Sequence, residues 1–227
     1  MGGKLIVFEG VEGAGKTTQI QQTRDWLEAS GLLYSLSPVG KKVPLMVTKE
    51  PGGTSLGMKL RQLLLSANSS SIQDRTELIL YAADRTQHVE EFLKPQLAQG
   101  AIVLCDRYTD STIAYQGYGR GLDLTLIEQL NQIATGGLDS DLTLWLDVEV
   151  ETGLKRMQKR GSADRIEQAD LAFHQRVQQG FRSLHQQNPD RIAQVDADRS
   201  EAEVQASIQE ILQQRFKAWF QKLSPTS

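Results

Sequence analysis

One glycine-rich segment near the start of the chain limits its possible folds more than any other feature. Residues 10–17 match the phosphate-loop pattern G-x-x-x-x-G-K-[ST]. The apolar, β-rich run at residues 5–8 precedes this segment, and a helical pattern over residues 18–29 follows it. A strand, a loop and a helix in this order form the structural context that the pattern requires. We therefore predict a phosphate-binding loop, and a ligand-free glycine-rich turn is the disfavoured alternative.

The residue types in this loop fit the chemistry of polyphosphate binding. Glycines let successive backbone N–H groups point at a phosphate, and the helix N-terminus adds a partial positive charge. Lys16 is predicted to reach the terminal phosphates, while the Thr17 hydroxyl binds a magnesium ion. The predicted nucleotide-binding residues are Gly10, Val11, Glu12, Gly13, Ala14, Gly15, Lys16, Thr17 and Thr18.

The composition of the chain argues against several classes of protein. The formal charge of −3 argues against non-specific nucleic-acid binding, which depends on an excess of Lys and Arg. The single cysteine, Cys105, excludes an internal disulfide framework and fits a reducing compartment. No apolar run approaches the ~20 residues of a membrane-spanning helix, and the first strand begins too early for a secretion signal. These features predict a cytoplasmic protein that binds neither membrane nor nucleic-acid polymer.

The remaining pattern predicts an α/β fold in which a parallel β-sheet is flanked by helices on both faces. The 227 residues suffice for a single domain covering residues 1–227. Residues 32–42 contain turn-forming residues and are predicted to be a surface loop or a hairpin insertion, and residues 117–121 are predicted to be a glycine-rich loop. Further strands are predicted at 44–48, 101–105, 142–147 and 191–196, and further helices at 55–65, 74–97, 124–135, 150–160, 170–187 and 200–222.

Charged residues follow the predicted strand at 101–105, where ligands of parallel sheets bind. Asp106 stands where a second acidic magnesium partner stands in phosphate-loop NTPases, although a turn aspartate is the alternative. Arg107 is a candidate for bidentate phosphate binding, and a solvated surface arginine is the alternative.

A cluster of basic residues lies within residues 153–166. Its cations are Lys155, Arg156, Lys159, Arg160 and Arg165. Like charges spaced four apart on a helix repel each other, and an anion nearby would relieve this repulsion. A solvated basic face is the alternative, but beside a phosphate loop we predict a mobile lid over the nucleotide.

Several further motifs accompany the phosphate loop in a fixed order. They are Glu50-Pro51-Gly52-Gly53-Thr54, Asp106-Arg107-Tyr108, Ala114-Tyr115-Gln116-Gly117, Gly119-Arg120-Gly121 and Asp164-Arg165-Ile166-Glu167. With these motifs the chain resembles the bacterial thymidylate kinases, a family of phosphate-loop nucleoside monophosphate kinases, nearly from end to end. The resemblance implies transfer of the γ-phosphoryl group of ATP to dTMP, with Mg²⁺, giving dTDP and ADP. It also implies a homodimer formed through helices, for which the apolar faces at 55–65 and 74–97 are candidates.

The resemblance also implies roles for individual residues. Tyr81, where the family usually has Phe, would stack on thymine while Arg85 binds a base carbonyl. Tyr115 would crowd the sugar 2′ position, and Glu12 would contact a sugar hydroxyl or a water. The implied catalytic residues are Lys16, Arg160, Glu12 and Arg107; the implied substrate-binding residues are Arg61, Tyr81, Arg85, Arg107, Thr112, Tyr115 and Gln116; and the implied metal ligands are Thr17 and Asp106.

The loop sequence indicates a subtype within the family. Some thymidylate kinases carry an arginine inside the phosphate loop, where this chain has Gly13. The bacterial type supplies the catalytic cation from the lid, and Arg160 matches that position, with Arg156 and Arg165 as supporting candidates. Lys49 replaces an arginine common in the family, which keeps the charge but loses the planar fork.

Two other functions remain open from the sequence alone. A kinase for another nucleoside monophosphate would share the fold and differ in the base pocket. A regulatory phosphate-loop NTPase would leave the acceptor motifs and the basic lid without a purpose. A degenerate, non-catalytic homologue is disfavoured because the catalytic positions are all filled.

Overall fold

The structure is a computed structural model that describes residues 2–37, 40–66, 72–158 and 165–220. Within these ranges five strands form one fully parallel sheet, ordered β2-β3-β1-β4-β5. The strands are β1 (Lys4–Glu9), β2 (Leu45–Lys49), β3 (Ile102–Asp106), β4 (Leu142–Asp147) and β5 (Ile192–Asp196). The helices are α1 (Lys16–Ala29), α2 (Leu32–Ser35), α3 (Ser55–Leu65), α4 (Asp74–His88), α5 (Lys94–Ala98), α6 (Thr109–Thr112), α7 (Leu124–Thr135), α8 (Val150–Gln158), α9 (Leu171–Gln187) and α10 (Glu201–Phe220), with π-helical segments at Val89–Leu93 and Ile113–Gly119.

The central strand β1 is buried on both faces, as the continuous apolar run predicts. Leu5 and Val7 join the smaller core, which contains Val89 and Leu93. Ile6 and Phe8 point the other way and join the larger core beneath α1, α9 and α10. Burying each such side chain stabilises the fold by about 1.5–3 kcal/mol. The predicted α/β class with helices on both faces is therefore confirmed.

Two loop predictions are wrong in part, for related reasons. Within residues 32–42 the chain forms helix α2, because Leu33 and Leu36 are buried in the larger core despite the polar residues around them. Gly117 and Gly119 belong to the second π-helical segment instead of a loop. A Cβ atom on Gly119 would lie 2.7 Å from Phe173. The glycine there allows close packing against α9, which composition alone does not distinguish from a turn.

The predicted helix at residues 74–97 is interrupted. It divides into α4, the first π-helical segment and α5, with Pro95 in the first turn of α5. The predicted polar break at 67–71 and residues 159–164 of the predicted lid, with Arg160, lie outside the described residues. In the part of the chain that is described, no helix is long and apolar enough to cross a membrane.

Candidate active site

The phosphate loop connects β1 to α1 and needs its glycines for the shape of the backbone. Gly10, Gly13 and Gly15 all have positive φ angles, at 142°, 73° and 90°. A Cβ atom on Gly13 would lie 2.0 Å from the carbonyl oxygen of Gly153, which belongs to α8. The loop and the first turns of α8 are therefore in direct backbone contact, and no larger residue fits at position 13 without displacing one of them.

Lys16 lies in the first turn of α1 and folds back over the loop. Its Nζ atom donates to the carbonyl oxygens of Gly10, at 2.8 Å, and Val11, at 3.0 Å. Burial is the main cause that lowers the pKa of Lys16, with the nearby Arg107 as the next. Phosphate oxygens at the loop would compete with these carbonyls for the ammonium group and would favour its charged form.

Glu12 is an ionised carboxylate that accepts two hydrogen bonds and lies close to a histidine. Its Oε1 atom accepts from Arg107 Nη2 at 2.9 Å and from the Tyr115 hydroxyl at 2.7 Å. Its Oε2 atom lies 3.4 Å from Nδ1 of His174. Burial alone would raise the pKa of Glu12, but His174, Arg107 and Lys16 together lower it to about 2. Glu12 therefore presents a fixed negative charge beside the phosphate loop.

Arg107 joins the phosphate loop to the strand end at β3. Its φ angle of 69° is in the left-handed region, which is uncommon for a residue with a side chain. The Nη1 atom donates to the Gly10 carbonyl and to the Ser111 hydroxyl, and the guanidinium lies 4.8 Å from the Tyr115 ring centroid. Backbone strain of about 1–3 kcal/mol that is retained at such a position is typical of a functional site.

Asp106 and Thr17 line the same cleft, and both side chains carry oxygen atoms. The Oδ1 atom of Asp106 is buried and has no hydrogen-bond partner among the described residues. Magnesium prefers oxygen ligands and keeps several waters, so two protein oxygens fit its requirements. Within the described ranges, no group of three or more His, Cys, Asp or Glu residues could hold a metal.

The predicted acceptor residues come together on the far side of this cleft. Its volume is about 350 Å³, within the size range of small-molecule sites. The predicted acceptor residues that line the cleft are Arg61, Tyr81, Arg85, Arg107, Thr112, Tyr115 and Gln116. The phosphate-loop residues Glu12, Lys16 and Thr17 line it as well, so the donor and acceptor sides share one space.

Arg85 is buried and held rigidly by the protein. Its Nε atom donates to Glu50 at 2.8 Å, and Nη1 donates to Thr112 and Asn131, both at 2.9 Å. Its Nη2 atom donates to the Tyr108 carbonyl at 2.9 Å. These bonds use four of the five guanidinium N–H groups. One N–H on Nη2 has no acceptor among the described residues, in keeping with the predicted contact to a base carbonyl.

Two supporting arginines of the predicted lid contact protein groups. Arg156 Nη1 donates to the Ala197 carbonyl at 3.0 Å, beyond the end of β5. Arg165 donates through Nε to the Leu64 carbonyl at 3.0 Å and through Nη2 to Glu77. In this conformation neither side chain lines the cleft that contains the phosphate loop.

Sequence reasoning missed two buried residues of the site, His174 and Glu77. His174 is 1% exposed, and its approach to Glu12 connects it with the loop. Glu77 is fully buried and lies one helical turn before Tyr81 on α4. A charged residue on the same helix face as a predicted substrate residue was the available signal.

The sheet, the phosphate loop and the shared cleft define a phosphate-loop kinase of the nucleoside monophosphate class. A family model described as thymidylate kinase matches residues 8–208. A thymidylate kinase from a Cyanothece species is 59% identical over 99% of both chains, and one from Nostoc punctiforme is 58% identical over 96% of this chain and 99% of its own. The crystal structure of thymidylate kinase from Ehrlichia chaffeensis superposes with a TM-score of 0.74, at 33% identity, covering 93% of this chain and all of that one. The chain belongs to the thymidylate kinase family.

Proposed function

We propose that the chain transfers the γ-phosphoryl group of ATP to the 5′-phosphate of dTMP in the cleft described above. Thymidylate kinase activity is the activity of its family, and it is the activity of this chain. One structural observation carries the assignment of the cleft: the phosphate loop and the acceptor residues line one continuous space. A donor and an acceptor phosphate bound there would meet without crossing solvent.

The donor side binds the triphosphate of ATP. The loop N–H groups, the N-terminus of α1 and the Lys16 ammonium all present positive charge to it. Thr17 and Asp106 would hold Mg²⁺, because the unpartnered Asp106 oxygen and the Thr17 hydroxyl fit a hard cation. When bound, the ion neutralises charge on the phosphate oxygens. Phosphoryl transfer requires mainly positioning and charge stabilisation, which these groups supply.

The acceptor side holds dTMP by its phosphate and its base. Arg107 and Arg61 bind the phosphate, and Arg61 is oriented by its bond to the Pro51 carbonyl at 3.0 Å. Tyr81 stacks on thymine, and the remaining N–H of Arg85 meets a base carbonyl. Thr112 and Gln116 contact the base and its surroundings.

The sugar end of the acceptor lies near Glu12. Tyr115 is fixed by its hydrogen bond to Glu12, so its ring would fill the space beside the sugar 2′ carbon and favour deoxyribose. Glu12 contacts a sugar hydroxyl or a water on the acceptor. The lid, residues 153–166, would close over the nucleotide and bring Arg160 to the transferring group. Closure would exclude water and suppress wasteful ATP hydrolysis.

A coupled assay of nucleoside monophosphates tests the proposal. We expect ATP-dependent and Mg²⁺-dependent formation of dTDP from dTMP, with kcat/KM at least about a hundredfold above that for AMP, CMP or UMP, the range that a site with dedicated hydrogen bonds can reach. A flat profile across the four substrates would favour a less specific monophosphate kinase. ATP hydrolysis that does not depend on an acceptor would favour a regulatory NTPase.

The assembly that we propose is a homodimer formed through α3, α4 and α7. Helix α4 packs between the other two. Large apolar side chains on these three helices are exposed, namely Leu56, Met58, Leu63, Ile79, Leu124, Leu126 and Ile133. Exposed apolar side chains on helices that pack against each other make these helices candidates for a subunit interface. A cytoplasmic location stays a prediction from the sequence.

A further inference from the structure

Glu77 is a charged side chain buried beneath the acceptor side of the cleft. Its relative exposure is 0%. Its Oε1 atom accepts from Nε2 of Gln116 at 2.8 Å, and its Oε2 atom accepts from Arg120 Nη2 at 3.2 Å and from Arg165 Nη2. A carboxylate in such a place is costly unless it is paired and hydrogen-bonded, and here three groups satisfy it. Gln116 itself lines the cleft and is 3% exposed.

The Glu77 carboxylate can accept a hydrogen bond from Gln116 but cannot donate one. Burial raises the pKa of Glu77, but the bonds from Gln116, Arg120 and Arg165 outweigh burial and leave that pKa below its ordinary value. An ionised carboxylate has no donor, so the Gln116 atom that faces it must be the amide nitrogen. The charge of Glu77 therefore determines the orientation of the Gln116 amide.

The amide oxygen of Gln116 consequently points away from Glu77. It receives no hydrogen bond from a protein group in the part of the chain that is described. On the Watson–Crick edge of thymine the only donor is N3–H, whereas the same position of cytosine is an acceptor. An acceptor fixed in the cleft therefore accepts a hydrogen bond from N3–H of thymine. With cytosine it would face the lone pair of N3 and form no hydrogen bond.

We propose that Glu77 is a positioning residue that sets base selectivity by locking the amide of Gln116 with its oxygen toward the acceptor base. The proposal rests on the function proposed above, in which Gln116 contacts the base. Glu77 does not touch the substrate and acts only through Gln116. The same carboxylate also receives Arg165, so the end of the lid and the base-reading amide are joined at one buried group.

The test compares dTMP with 5-methyl-dCMP, which keeps the methyl group and changes only the hydrogen-bonding edge. In Glu77→Gln the neutral amide can accept as well as donate, so Gln116 is free to rotate and present its nitrogen. We expect the ratio of kcat/KM for dTMP to that for 5-methyl-dCMP to fall by about tenfold, the scale of one buried hydrogen bond. We also expect kcat/KM for 5-methyl-dCMP to rise above the wild-type value, which structural damage alone would not produce.

Two matched variants separate selectivity from general disturbance. Glu77→Asp keeps an acceptor-only group, so it should lose activity toward both substrates together and leave the ratio within about twofold of wild type. Asp110→Asn removes another buried carboxylate, which pairs with Arg191 at 2.7 Å outside the cleft, and should also leave the ratio unchanged.

The outcomes distinguish the two proposals. If the wild-type chain does not phosphorylate dTMP, the proposed function fails. If it does, and the folded Glu77→Gln variant keeps the wild-type ratio of kcat/KM for dTMP to that for 5-methyl-dCMP, the role proposed for Glu77 is wrong. The proposed function then still stands. Should Glu77→Gln not fold, Gln116→Met decides instead. The locked acceptor predicts that this variant loses activity toward dTMP only, and an equal loss toward both substrates would overturn the inference.

Discussion

Arg107 has an unusual backbone conformation as well as side-chain contacts with the phosphate loop. Its position after a buried strand predicted a ligand-facing arginine, and the structure places it there. The sequence did not indicate its left-handed φ angle or its bond to Glu12, which is 95 positions away. Contacts of this kind depend on how β1 and β3 align in the sheet, and no local pattern encodes that alignment.

Asp84 is another single residue with a clear effect: it is a buried carboxylate whose charge destabilises the fold. It is 1% exposed, and its Oδ1 atom accepts from the Gly52 N–H at 3.0 Å while Oδ2 has no partner among the described residues. Burial, and after it the nearby Glu50, raise the pKa of Asp84 from 3.8 to about 6. The folded state therefore binds this proton more tightly than the unfolded state does.

The raised pKa of Asp84 predicts the direction in which the free energy of unfolding changes with pH. Between about pH 4 and pH 6 the folded chain holds more protons at Asp84, so this residue makes the free energy of unfolding fall as pH rises. Asp84→Asn keeps the Oδ1 acceptor and removes the charge. We expect a flatter pH dependence in this window and a gain of about 1–3 kcal/mol at pH 7.5, measured by urea denaturation at several pH values.

An exposed aspartate provides the control for that experiment. The pKa of Asp25 is lowered by the hydrogen bond from Arg24, which is the opposite shift. Asp25→Asn should therefore give no gain in stability at pH 7.5. A slope for Asp84→Asn equal to the wild-type slope would contradict the assignment.

The secondary-structure elements differ in how well the sequence predicted them. Helix α7 and strand β4 begin and end at the predicted residues, because Asp123 caps α7 and an unbroken apolar run marks β4. The second π-helical segment was missed because its glycines resemble a turn in sequence, while tertiary packing against α7 and α9 decides their conformation.

The role that we propose for the lid can be tested directly by substituting Arg160. If Arg160 stabilises charge in the transition state, Arg160→Ala should lower kcat by about 10³ or more, with a smaller effect on KM. Steady-state kinetics with ATP and dTMP measure both constants. Lys155→Ala removes an exposed cation from helix α8 and should change kcat by less than about twofold. An unchanged kcat in Arg160→Ala would assign the catalytic cation to another residue.

At the scale of the whole molecule, alternation of strands and helices predicted a parallel sheet but not its strand order. The order β2-β3-β1-β4-β5 brings the ends of β1 and β3 together at the centre, next to the loop and Arg107. Register pairs Phe8 with Asp106, which places the phosphate loop beside the candidate metal ligand. Long-range pairing of this kind follows from the packing of both cores, so a pattern along the chain does not contain it.

The proposed homodimer gives a prediction for the whole molecule. Sedimentation equilibrium should give twice the chain mass of 25.3 kDa at micromolar concentration. The double variant Leu63→Asp, Ile79→Asp places charges on two exposed apolar positions of α3 and α4, and we expect it to sediment as a monomer. Leu171→Asp changes an exposed apolar residue on α9 and should remain a dimer. A monomeric wild-type chain would contradict the proposed interface.

The backbone contact between Gly13 and Gly153 limits which substitutions this phosphate loop can accept. An arginine at position 13 would collide with the carbonyl oxygen of Gly153, 2.0 Å from a Cβ atom. A chain with this arrangement of α8 cannot acquire a loop-borne catalytic cation by one substitution. Placing a cation inside the loop therefore requires the loop and the start of α8 to change together.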